Sequence, residues 1–158
     1  MKTLFFLLMS TFAFAQVDLE FRDDSFILDN NKNLLKFDIK EPFYQIKPKG
    51  CSNFTAAAFD GGAIAYKALL SKYMFAFLNA DFYTLNGDFT FTLSIDKTGK
   101  VTNLKGSPQI LHSEIFFDDM QYVVRRIKTN WKPATCNGKP IDSQMEIKMN
   151  FSSNSGDL

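Results

Sequence analysis

With 158 residues, 46% of them hydrophobic and 18 of them phenylalanine, the chain can build one packed domain plus an extension, and it is not a disordered polymer. Its 18 Lys and Arg against 17 Asp and Glu leave a net charge of +1, which argues against a basic footprint for nucleic acid or an anionic membrane surface. One His and two Cys make no zinc-ligand pattern.

Met1-Lys2 opens the chain with a positive charge, and residues 4–14 are apolar apart from Ser10 and Thr11. Ala13-Phe14-Ala15 then has the small-x-small form of a cleavage site. This predicts a cleaved signal peptide over residues 1–15, because the apolar run is short for a bilayer span. The mature chain is then expected to be exported, to the periplasm first or otherwise outside the cell, and not to be an integral membrane protein. In such an oxidising compartment Cys51 and Cys136 either bridge or remain two thiols out of reach, since spacing alone does not place their Cα atoms.

Residues 16–50 form an extension without helical period. Phe26, Ile27 and Leu28, and then Leu34, Leu35, Phe37 and Ile39, flank the turn formers Asp29, Asn30, Asn31 and Asn33, which predicts a β-hairpin. Pro42 and Pro48 keep the following segment extended. The main domain is expected over residues 51–152. Phe59-Asp60-Gly61-Gly62 leads into a helix with Ile64, Ala68 and Leu69 at helical spacing, and Asp60 is placed to cap it or favour its positive end. Beyond it, Phe75, Phe77, Phe82 and Tyr83 exceed what one short helix face buries. They form either a second packing layer or an exposed contact patch.

Phe89, Phe91, Leu93 and Ile95 alternate with Thr90, Thr92, Ser94 and Asp96, a half-buried strand. Asp96-Lys97-Thr98-Gly99 predicts a tight turn with Gly99 at positive φ, and Val101 starts the return strand. Over residues 113–128, Phe116, Met120, Val123, Val124 and Ile127 share one stripe. Acidic residues come early and Arg125, Arg126 and Lys128 late, which suits the dipole of a helix. Asn137-Gly138 is a second turn, and Met145, Ile147, Met149 and Phe151 alternate inward along a last strand. Residues 153–158 read as a polar tail.

The expected fold is α+β. It has a small three-stranded antiparallel sheet in the order 2-1-3, two helices on one face, and the N-terminal β-hairpin as an extension. That order leaves the last strand at an edge. Unpaired N–H and C=O groups on such an edge can recruit an extended peptide, so Gln144, Met145, Glu146, Ile147, Lys148, Met149 and Asn150 form the candidate peptide-binding edge. The competing possibility is an edge covered by residues 16–50. No catalytic, cofactor-binding or metal-binding residues are assigned. His112 has no oriented partner in the sequence, and Asp118 and Asp119 are adjacent helix residues that point apart.

Phe59-Asp60-Gly61-Gly62, Asp96-Lys97-Thr98-Gly99-Lys100-Val101, Trp131-Lys132-Pro133 and Asn137-Gly138-Lys139-Pro140-Ile141 together resemble the C-terminal domain of the TonB energy transducers. The uncleaved membrane helix and Pro-rich spacer of TonB proper have no counterpart in this reading. The resemblance implies a non-enzymatic, exported binding module of the cell envelope. Its implied partner is a TonB-dependent receptor segment, or another envelope protein, taken up by β-augmentation at the last strand. A self-contained structural protein, or a homodimer, is the second reading. A small hydrolase is the remote third.

Overall fold

The computed structural model describes residues 26–29, 33–111, 113–128 and 131–155. In chain order they form β1 (Phe26–Asp29), β2 (Asn33–Ile46), β3 (Phe54–Thr55) and α1 (Gly62–Phe77), followed by a 3-10 turn over Ala80–Phe82. Then come β4 (Asn86–Ile95), β5 (Val101–Ser107), α2 (Ser113–Arg126), β6 (Ala134–Cys136), β7 (Lys139–Ile141) and β8 (Ser143–Ser155). The expected signal peptide and His112 lie outside the described residues. Among the described residues, no helix is long and apolar enough to cross a membrane.

The expectation of a small three-stranded sheet in the order 2-1-3 is overturned. Five strands form one antiparallel sheet in the order β1-β2-β8-β4-β5, and β3-β6-β7 form a second, three-stranded sheet. The reason lies in β2. Its alternation of Leu35, Phe37 and Ile39 with Lys36, Asp38 and Lys40 marks only its first half. The register breaks between Lys40 and Tyr44, around Pro42, and pairing then resumes through Ile46↔Gln144. A strand interrupted in this way reads as two short pieces, although it spans 14 residues. Nor does β8 stop at the predicted tail: it continues to Ser155, which pairs with Asn33.

One face of the large sheet is apolar, because the strand period of two puts Phe89, Phe91, Leu93 and Ile95 on the same side as Met145, Ile147, Met149 and Phe151. Both helices contribute to the core on that face. α1 supplies Tyr66, Leu70 and Met74, and α2 supplies Phe116, Phe117, Met120, Val123 and Val124. The phenylalanines converge on Phe151, whose ring lies 5.2 Å from Phe116, 5.6 Å from Phe89, 6.1 Å from Phe37 and 6.3 Å from Phe91. Most of these pairs meet edge to face, the arrangement favoured by ring quadrupoles. The aromatic run after α1 divides between the two expectations. Phe75 packs on Phe26 and Phe37 and Tyr83 is buried on Phe116, whereas Phe77 and Phe82 stay exposed.

Asp60 makes no cap. The N-cap of α1 is Gly61 at φ 81°, with no side-chain capping bond, and the Gly62 N–H donates to the Phe59 carbonyl instead. The turn after β4 is as its residues predict: the Gly99 N–H donates to the Asp96 carbonyl at 2.9 Å, with Gly99 at φ 85°. Gly99 is also required by a close approach. A Cβ there would lie 1.8 Å from the Trp131 carbonyl oxygen, because the Trp131 N–H donates to the Gly99 carbonyl at 2.8 Å. Trp131 is buried against Phe59 and Tyr66 and closes the corner after α2. From there the chain pairs Lys132 with Ala58 and Cys136 with Phe54, and Cys51 and Cys136 form a disulfide with Cα atoms 5.7 Å apart.

Two stability measurements follow from this packing. Phe151→Ala is expected to cost about 3–5 kcal/mol by urea denaturation, the range for deleting a fully buried aromatic ring. Gly99→Ala is expected to cost about 2 kcal/mol or more, because both its φ and the Trp131 carbonyl oppose a side chain. A Gly99→Ala protein with the parent's urea midpoint would show that the turn is not tied to Trp131.

Candidate binding edge and grooves

β8 forms where the sequence predicts a strand, with Met145, Ile147, Met149 and Phe151 inward. Its position in the sheet is different. Gln144, Met145, Glu146, Lys148, Met149 and Asn150 each face a residue of β2, from Ile46↔Gln144 to Asp38↔Asn150. On the opposite flank, all of them and Ile147 are in register with β4, from Ser94↔Gln144 to Asp88↔Asn150. The candidate peptide-binding edge is therefore an internal strand of the sheet. The residues that sequence reasoning assigned to a partner are held by the chain's own extension. The signal that could have found this is the alternation of Leu35, Phe37 and Ile39, each about 1% exposed, which needs a sheet face to pack against.

The outward face of the same strands is mostly polar and lightly bonded, with Tyr44 and Ile46 exposed on it. Asn150 donates to Asp88 at 2.7 Å, the Lys148 ammonium lies 5.2 Å from the Tyr44 ring, and the Thr102 hydroxyl donates to the Ser94 carbonyl at 3.2 Å. The outer strands, with pairing on one flank only among the described residues, are β1 and β5.

Two concave surfaces border β5. One is a cleft of about 410 Å³ at the hairpin end of the sheet, lined by Ile46, Pro48, Asp96, Asp142, Ser143 and Gln144 among others. Its carboxylates already serve the backbone. Asp142 accepts from the Lys97 N–H at 2.8 Å, and one Asp96 oxygen accepts from the Thr98 and Lys100 N–H groups and the Thr98 hydroxyl. The Thr98 hydroxyl foremost, then the backbone N–H groups and the Lys100 charge, holds the Asp96 carboxyl below its usual value of 3.8. The other surface is a groove of about 550 Å³ between the start of β5 and the end of α2.

Among the described residues, the buried tyrosines serve packing and internal bonds. Tyr83 donates to Asp119, and burial first, then that carboxylate, raises its pKa well above the usual tyrosine value, so it stays a neutral donor. Burial alone raises Tyr66 in the same direction. Tyr83 and Asp119 thereby tie the 3-10 turn to α2. Among the described residues, no three His, Cys, Asp or Glu side chains gather as a metal site. Comparisons with protein-family models, with characterised proteins and with solved structures give no match for this chain.

The depressed Asp96 pKa gives a test with a definite sign. Its folded value lies below its unfolded one, so its contribution is fully present above the unfolded value and is lost as pH falls through the folded value. Asp96→Asn is expected to lower the urea midpoint at neutral pH, with the gap from the parent narrowing below pH 3.8. A gap independent of pH would mean that the Asp96 charge does not support the turn.

Proposed function

We propose that this chain is an exported, non-enzymatic protein of the cell envelope that is self-contained at its last strand. Its N-terminal extension occupies the flank of β8 that an extended partner segment would otherwise take. The observation that carries this reading is the register between β2 and β8, which runs from Asn33↔Ser155 to Ile46↔Gln144. A strand held on both flanks, as β8 is apart from the break opposite Ile147, offers no template to a free peptide. The Cys51–Cys136 disulfide supports an oxidising compartment, as the leader-like residues 1–15 do. The order of TonB-like motifs supports an envelope role, with β2 standing where a receptor segment would pair.

The experiment is a titration of the mature chain with extended peptides of TonB-box type, followed by amide NMR. The amide signals of residues 144–150 are expected not to move, and their hydrogen exchange is expected to be as slow as the slowest in the protein. Removing residues 16–50 should expose the β8 flank and the apolar surface under Phe37, giving peptide binding or dimers. Saturable shifts of the β8 amides in the undeleted chain would overturn the closed reading and restore peptide capture at β8.

A further inference from the structure

We propose that the groove between β5 and α2 binds a short, extended, acidic segment of a partner protein. This goes beyond the function proposed above and does not depend on how β8 is closed. β5 is an outer strand of the five-stranded sheet, and among the described residues only β4 pairs with it. Backbone groups on its outer flank therefore have donors and acceptors to offer. Where β5 begins, the ladder is interrupted: Ile95 pairs with Val101 and Ser94 with Asn103, so Thr102 is left out of register.

Chemistry gathers at this same point. Val101, Val124 and Ile127 give the groove an apolar floor continuous with the core. Lys100, Arg125 and Lys128 give it a basic rim, and no carboxylate among the described residues lines it. Arg125, in the last turn of α2, also complements the negative end of its dipole, but Lys100 belongs to the β4–β5 turn, so the helix does not account for it. Asp96 is close enough to feel the Lys100 charge, yet its bonded oxygen is already engaged by its own turn. The Gln121 amide donates to the Asn103 side chain at 2.7 Å, bringing α2 onto β5 and bounding the groove on that side.

These features select the occupant. A strand edge with directional donors suits a peptide main chain, the apolar floor suits one aliphatic side chain, and three cations suit flanking carboxylates. The Gln121–Asn103 contact limits the segment to a few residues. A partner's acidic, extended terminus or loop has this chemistry.

The test uses the full, disulfide-bonded chain and a blocked peptide alternating valine with aspartate, titrated at low ionic strength. Saturable shifts of the residue 101–103 amides are expected, and none with a peptide alternating valine with lysine. The double variant Lys100→Gln/Lys128→Gln, at two exposed positions, is expected to stay folded by circular dichroism and to bind about threefold to tenfold more weakly. Salt at about 1 M is expected to weaken binding further in the parent. Unmoved residue 101–103 amides at millimolar peptide would overturn the proposal, as would equal binding of the lysine peptide or undiminished binding by the variant. Concentration-dependent shifts of these amides without peptide would replace the partner with a second copy, and binding of phosphatidylglycerol vesicles without a peptide response would replace it with a membrane surface. The residue 144–150 amides read the closure of β8 separately in the same spectra.

Discussion

The pairing of β2 along β8 is the contact on which the rest of the structure depends. It places β8 inside the sheet and brings Leu35, Phe37 and Ile39, each about 1% exposed, over the apolar face that α1 covers. Burying one such side chain is worth about 1.5–3 kcal/mol. A surface ion pair such as Lys40–Asp38, at 2.5 Å, is worth about 0–1 kcal/mol. Packing therefore sets the register, and the polar face follows it. Without β2, the chain would have both an open strand edge and an uncovered apolar surface.

A second set of contacts ties the end of the extension to the rest. Trp131 touches Gly99 through a backbone bond, Phe59 and Tyr66 through its ring, and Lys132 continues by pairing with Ala58. The indole Nε1 and the Tyr66 hydroxyl are buried without a hydrogen-bond partner among the described residues, so this corner is held by ring packing and main-chain bonds. The disulfide lies just beyond, joining residues separated by 85 positions. In the chain-entropy account, a loop of that length is worth about 4–5 kcal/mol. These contacts join the hairpin turn, the exit of α2, α1 and the segment before it, and the Gln45 amide near the end of β2 donates to the Ala57 carbonyl of that segment at 3.1 Å.

The β2–β8 pairing also decides which strand flanks remain open. An intramolecular strand on β8 leaves β1 and β5 as the outer strands of the large sheet. β1 is short, at 4 residues. β5 is longer, and α2 lies beside it with Gly106 making room for the Phe117 ring, where a Cβ would meet that ring at 2.0 Å. The close packing that seats α2 on β5 also shapes the groove at the strand's other end. Groove and scaffold are therefore not separable there. The exposed Phe77, which meets Tyr122 at 5.5 Å with Arg126 over both rings, lies between the helices and has its own internal partners.

The strands at β4 and β8, the turn at Asp96–Gly99, and α2 with its charge order could all be read from the chain, because each depends on neighbours close in sequence. A period of two or of 3.6 reports which face is buried. A glycine before a return strand reports a positive φ. Neither reports what lies beside a strand. The β2–β8 register joins Asn33 to Ser155, and the Gly99–Trp131 contact joins a turn to a helix exit; local pattern carries no term for such distances. The sequence also could not choose between a bridge and two thiols, since that depends on where the two Cα atoms are placed. By itself the sequence determined the inward faces of β4, β8 and α2 and the turn between β4 and β5. On α1 it pointed to Ile64, Ala68 and Leu69, whereas Tyr66, Leu70 and Met74 are the buried apolar residues. Only the tertiary structure decided that β8 lies within the sheet, because the partner of a strand is set by long-range burial.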